Sequence, residues 1–233
     1  MIDALDKNYS LKYNYLPLKN ANESVSDVKN IVVMLHGYGS EAEKMSIIPE
    51  MLNIPNTLYI LPDGPEVCKG NEALGVEDGV GRQWFDLVDF NLSEISGQLL
   101  NQLDSLNLFI GQISQLYNVP VSNIVVFGFS QGSFMASHFA FVNSNIAGTI
   151  GSSGGVFANI IKNQSRTSVP MVLTHGLQDN VLSHEWSEYA YEVIRELNDN
   201  ISLHLIDDVE HVIEQNTLKI IKASIVDMLK LNS

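Results

Sequence analysis

The chain has 233 residues, 45% of them hydrophobic and 17% charged, which is enough apolar material for one sizeable core. Lysine and arginine number 13 against 27 acidic residues, a net charge of −14, and such a surface repels nucleic-acid phosphates and anionic lipid headgroups. Cys68 is the single cysteine, so an internal disulfide is excluded, and neither a signal peptide nor an apolar run of membrane-spanning length is visible; a cytoplasmic protein is expected.

In chain order, LKYNYLP (11–17) alternates and is expected as an edge strand. IVVMLH (31–36) and TLYILP (57–62) are continuous apolar runs of the kind buried on both faces of a sheet, with a helix-like segment at 41–52 between them. Residues 63–92 are glycine-rich and irregular, and a loop of that length is usually either functional or disordered. Trp84 and Phe85 argue that it is ordered over the sheet, covering and lining a pocket. A long helix at 93–118 precedes the strongest strand, NIVVFGF (123–129), which leads into a helix at 132–143. Strands at 146–152, 170–175 and 201–207 then alternate with helices at 184–198 and 215–231. In the last helix Leu218, Ile221, Ile225 and Leu229 form an apolar stripe at helical spacing. The alternation predicts a single α/β domain over 1–233, its mostly parallel sheet flanked by helices on both faces. Ligands of such sheets sit beyond the carboxyl ends of the strands.

Two segments fit the glycine-x-serine-x-glycine pattern of a nucleophile elbow: Gly128 to Gly132 (GFSQG) and Gly151 to Gly155 (GSSGG). The elbow needs a strand, a sharp turn and a helix. Ser130 has all three, whereas Ser153 follows a weaker strand and enters a short, soon polar segment that reads as a loop. Ser130 is therefore the candidate nucleophile. Its hydroxyl needs a base and a group to orient that base. Asp179 and His211 each follow a strand, in the serine, acid, histidine order of α/β-hydrolases. Asp207 and Asp208 compete for the acid position, with a solvated turn as their ordinary role. Elsewhere His36 and His175 sit at strand ends, where bonding to neighbouring backbone is expected, and His138, His184 and His204 read as structural or surface residues. An oxyanion hole needs two N–H donors; Gln131, next to the nucleophile, and Tyr38, in the loop LHGYGS (35–40), are the candidates.

The segments MLHGYGS, LPDGP, RQWFDL, GFSQGSFMA, THGLQDNVL and EHVI, in that order, resemble the phospholipase/carboxylesterase family of α/β-hydrolases, which includes acyl-protein thioesterases. The resemblance implies the α/β-hydrolase fold, hydrolysis of esters or thioesters, and an acyl chain in an apolar groove. It implies a triad of Ser130, Asp179 and His211, with Tyr38 and Gln131 as oxyanion donors. The chain departs from the family's pattern at Tyr38, usually leucine, at Ser40, usually aspartate, and at Ser133, usually glycine. Glu210 stands in a segment that usually carries glycine, and is expected to raise the pKa of His211 if it lies close. No cofactor is expected, no histidine spacing suggests a metal, and no lysine follows HGYGS as a phosphate loop requires. A carboxylesterase is the leading reading. A long-chain thioesterase or lysophospholipase, a non-catalytic ligand-binding relative and a cysteine hydrolase stand beside it, and homodimerisation near the pocket stays open.

Overall fold

The structure, a computed structural model, describes residues 12–19 and 24–231. Residue 11 of the expected first strand, and most of the segment in which a signal peptide was sought, lie outside these residues. Among the described residues the strands are β1 (Tyr15–Lys19), β2 (Asn30–Leu35), β3 (Thr57–Pro62), β4 (Glu66–Val67), β5 (Arg82–Gln83), β6 (Ile124–Phe129), β7 (Gly148–Ser152), β8 (Met171–Gly176) and β9 (Ile201–Ile206). The main sheet runs β1-β3-β2-β6-β7-β8-β9. Every pairing in it is parallel except that of β1, an edge strand antiparallel to β3. The chain folds as an α/β-hydrolase.

The helices are α1 (Ile47–Leu52), α2 (Leu92–Tyr117), α3 (Gln131–Phe139), α4 (Ala158–Ile161), α5 (Glu185–Arg195) and α6 (Gln215–Met228). Alternation along the strands builds two cores, one on each face. Ile31, Val33 and Leu35 of β2, with Ile124 and Val126 of β6, pack on the side of α2, α3 and α5. Val32, Met34, Val125 and Phe127 face α1 and α6. Helix α2 buries Ile95, Leu99, Leu103, Leu106, Ile110 and Ile113 at helical spacing, and Asn91 caps its start by accepting from the N–H groups of Ser93 and Glu94.

Three local expectations shift. The helix expected over 41–52 divides into a 3-10 turn (Ala42–Met45) and α1. Pro49 explains the break: it has no N–H, so it is tolerated in the first turn of a helix starting at Ile47 but not in the interior of one starting earlier. Helix α3 stops at Phe139, before Phe141 and Val142, and all its residues are buried, because it lies between the sheet and α2. The irregular segment carries its own small sheet, β4 antiparallel to β5.

His138 is buried in α3, where Nδ1–H donates to the Phe134 carbonyl at 2.7 Å and Nε2 accepts the Phe157 N–H at 3.2 Å. Both bonds need the neutral ring, and burial pushes its pKa down from 6.5 to about 4. The unfolded chain takes up this proton from about pH 6.5 downward and the native state only near pH 4. Stability is therefore lost as pH falls through that window, by roughly 3 kcal/mol. Urea unfolding should show a lower midpoint at about pH 4.5 than at about pH 7.5, with a smaller difference in His138→Gln.

Candidate active site

Ser130 lies between β6 and α3 with φ 53° and ψ −115°, a conformation that L-residues rarely adopt. The turn is possible because strand and helix approach without side chains in the way. A Cβ on Gly128 would collide with the Gly132 carbonyl, and one on Gly132 with the carbonyl of Leu35. The Ser130 N–H donates to the Ser152 carbonyl at 2.9 Å, tying the turn to β7.

The chain beyond β8 and β9 stays paired: Leu177 N–H donates to the Ile206 carbonyl at 2.9 Å, and Gln178 N–H to that of Val209 at 3.0 Å. This zipper brings Asp179 and His211 together. His211 Nδ1 lies 2.6 Å from Asp179 Oδ2, and His211 Nε2 lies 3.0 Å from Ser130 Oγ. The imidazole also packs on the Phe129 ring, centroids 4.9 Å apart. Asp179 Oδ1 accepts the N–H groups of Val181 at 3.0 Å and Leu182 at 2.8 Å. Burial alone would raise the pKa of Asp179. Hydrogen bonds from His175 and His211, with that from the Leu182 N–H, outweigh burial and hold the carboxyl well below the usual range. The acid is thus an anion that fixes one tautomer of His211, leaving Nε2 with a lone pair toward Ser130. Asp207, Asp208 and Glu210 are exposed, and none of them shares a hydrogen bond with His211, whose ring nitrogens bond Asp179 and Ser130.

Ser153 is buried and also has a positive φ, 52°, with its N–H on the Thr174 carbonyl at 2.8 Å. The first two residues of GSSGG belong to β7 and the rest to a loop.

Tyr38 and Gln131 both line the cavity beside Ser130. A methyl group on Gly37 would lie 3.1 Å from Ser130 Cβ, which places the 35–40 loop directly against the serine. This loop is stitched to β5, for Arg82 N–H donates to the Ser40 carbonyl at 2.7 Å and Gly39 N–H to that of Arg82 at 3.0 Å. The Tyr38 hydroxyl donates to the Gly70 carbonyl at 3.0 Å, and burial, with Cys68 beside it, raises its pKa. Where leucine would only fill space, this tyrosine ties the loop to the segment above it.

Phe85 lines the cavity, but Trp84 sits behind its wall. The Trp84 indole N–H donates to the His36 carbonyl at 2.9 Å, and its backbone N–H to Gln131 Oε1 at 2.8 Å. Gln131 Nε2 in turn donates to the Phe85 carbonyl at 2.6 Å. Trp84 therefore braces the two stretches that carry Tyr38 and Gln131. His36 accepts the Gly64 N–H on Nε2 at 2.9 Å and bonds the Gly37 carbonyl through Nδ1 at 2.7 Å, a neutral buried ring whose pKa burial lowers.

His175 does more than bond backbone. Its Nε2 lies 2.9 Å from the Leu182 carbonyl and 3.1 Å from Asp179 Oδ2, and its Nδ1 lies 2.7 Å from Ser187 Oγ. Two acceptors face Nε2, so that nitrogen carries a proton and supplies the buried carboxylate with a second imidazole donor. The four-residue spacing from His175 to Asp179 was the available signal.

Tyr38, Phe85, Ser130, Gln131 and His211 line a cavity of about 820 Å³ at the carboxyl ends of the strands. A model of the phospholipase/carboxylesterase family matches residues 20–229. The chain belongs to that family. Among the phospholipase/carboxylesterase relatives it resembles, acyl-protein thioesterase 1 of Candida albicans is 22% identical over 83% of this chain and 89% of its own length. Lysophospholipase-like protein 1 of Mus musculus is 23% identical over 85% and 86%. The crystal structure of esterase PE8 superposes with a TM-score of 0.78 at 24% identity, covering 93% of this chain and 98% of that one. Membership in the phospholipase/carboxylesterase family makes this chain a hydrolase of the esterase and thioesterase class. Among its described residues no helix is long and apolar enough to cross a membrane.

Proposed function

We propose that the protein is a cofactor-independent serine carboxylesterase acting through an acyl-enzyme. The observation that carries this reading is the series Ser130, His211, Asp179, hydrogen-bonded at 3.0 and 2.6 Å, with Ser130 and His211 lining the cavity and Asp179 buried behind them. His211 Nε2 takes the Ser130 proton as Oγ attacks the carbonyl carbon, and Asp179 steadies the imidazolium. The N–H groups of Tyr38 and Gln131 receive the developing oxyanion, Gln131 also standing at the positive end of α3. His211 then protonates the leaving group, and water attacks the acyl-enzyme with His211 again as base. The single cysteine, Cys68, buried and free, fits the cytoplasmic setting that the reading favours.

A thioesterase on long acyl chains is the second reading, favoured by the relatives named acyl-protein thioesterase. A fluorophosphonate probe followed by peptide mapping is expected to place one adduct on Ser130 and none on Ser153. Turnover of p-nitrophenyl esters and matched thioesters of increasing length then separates the two readings. An unlabelled protein that turns over no ester or thioester would return the chain to the non-catalytic alternative.

A further inference from the structure

The cavity over Ser130 straddles the edge of the sheet, so both cores contribute to its walls. On the side of α2, α3 and α5 the wall carries the aromatic rings of Phe85, Phe134, Phe157 and Trp186, set among Leu87, Ile95 and Leu182. On the side of α1 and α6 it is mostly aliphatic, with Met45, Ile48, Ile213 and Leu218 beside the single ring of Phe129, extended at the mouth by Ile47 and Met51.

His211 gives the two walls different tasks. During acylation its imidazolium returns a proton to the leaving oxygen, so the leaving group must lie against Nε2. Val212 and Ile213 follow His211 directly and line the same cavity, and Ile213 packs into the α1–α6 core. The leaving group is thereby directed to the aliphatic wall and the acyl chain to the aromatic one. Lys44 is the one lysine or arginine among the described lining residues, and no carboxylate is among them. A glycerophosphocholine headgroup would thus meet one cation for its phosphate and no carboxylate for its ammonium, whereas a hydrocarbon alcohol needs only the apolar side chains.

Resting on the ester hydrolysis proposed above, we propose that the aliphatic wall is a leaving-group subsite for a hydrocarbon alcohol. The preferred substrates are esters apolar on both sides of the scissile bond. Ser130 Oγ bonds to the carbonyl carbon, the bond from that carbon to the alcohol oxygen breaks, and the serine proton reaches that oxygen through His211. Water then releases the carboxylic acid and restores the serine.

The test uses esters of one fixed acyl chain whose alcohol grows from methyl through butyl to octyl, beside the same acyl chain on glycerophosphocholine. In the full-length enzyme kcat/KM should rise about three- to fourfold for each methylene that the wall covers. Ile47 and Met51 are 56% and 54% exposed, so replacing them should leave the fold intact. The double variant Ile47→Ser, Met51→Ser should cut the octyl-to-methyl ratio of kcat/KM about tenfold or more, while the dependence on acyl length, measured on methyl esters, persists. Rates flat or falling with alcohol length, or a preference for the glycerophosphocholine ester over the octyl ester, would overturn the subsite and leave the hydrolase reading standing. No turnover of any ester would remove the proposed hydrolysis and the subsite with it.

Discussion

Replacing Asp179 by asparagine is expected to lower kcat about 10⁴-fold with little change in the fold. The side chain is fully buried and each carboxylate oxygen is committed. Oδ1 accepts two backbone N–H groups, of Val181 and Leu182, and Oδ2 faces His211 and His175. An amide can satisfy only one of these sides. With its oxygen held by the backbone donors, its NH₂ faces two imidazole nitrogens. His211 Nδ1 must then accept, and the ring's proton moves to Nε2, where it points at Ser130 Oγ. A protonated Nε2 cannot take the hydroxyl proton. The opposite amide orientation sets NH₂ against the N–H groups of Val181 and Leu182 and loosens the loop that carries the residue. Steady-state kinetics on a p-nitrophenyl ester checks the loss, and an Asp179→Asn enzyme within tenfold of the parent would remove Asp179 from the proposed role. The same substitution should flatten the acid side of the stability profile. The carboxyl's lowered pKa contributes stability present above the ordinary aspartate value, near 4, and lost as pH falls below it.

The centre of the sheet was legible because its strands are buried on both faces and read as unbroken apolar runs. β2, β3 and β6 contain no exposed residue to blur them. Residues 63–92 were not legible in the same way, since their order comes from partners far along the chain. Gln131 holds Trp84 and Phe85 from 47 and 46 residues away, and Arg82 Nε donates to the Gly64 carbonyl. No local period announces such bonds. An aromatic pair in a glycine-rich stretch signals order, but not which ring faces the cavity. Phe85 does, and Trp84 turns its indole N–H toward the backbone of His36 instead.

At the candidate site, the nearness of Ser130, Asp179 and His211 was legible because all three follow strands, whose carboxyl ends gather on one side of the sheet, and the structure sets them within hydrogen-bond reach. The second donor on that carboxylate was not. His175 shares its neighbourhood with Asp179 in sequence, yet whether a strand-end imidazole turns to backbone or to carboxylate depends on the turn at 176–182. That turn is set by pairing with residues 206–209. The hydroxyl of Tyr38 was likewise invisible, because its partner at Gly70 belongs to the irregular segment.

Ser130→Ala should reduce kcat by roughly 10⁶, as should His211→Ala, and the double variant should be no worse than either. The nucleophile is useless without the base and the base idle without the nucleophile, so the losses do not add. What survives comes from the oxyanion donors and the cavity. Fluorophosphonate labelling should vanish in Ser130→Ala and persist in Ser153→Ala, whose turnover should stay within a few-fold of the parent. Equal losses at the two serines would place the effect in the positive-φ backbone that each occupies in its own turn. Ser130→Gly supplies the sharper test of that strain. Alanine keeps the Cβ at φ 53° and ψ −115°, whereas glycine adopts this conformation freely. Both variants should be inactive, but Ser130→Gly should unfold at the higher temperature, by an amount equivalent to about 1 kcal/mol. Glycine also gains freedom in the unfolded chain, which opposes this, so a positive difference measures strain that exceeds that entropy. If alanine proved the more stable of the two, the strain at Ser130 would be smaller than the entropy glycine adds to the unfolded chain, and the bond from Ser130 N–H to the Ser152 carbonyl would be the larger influence on the turn.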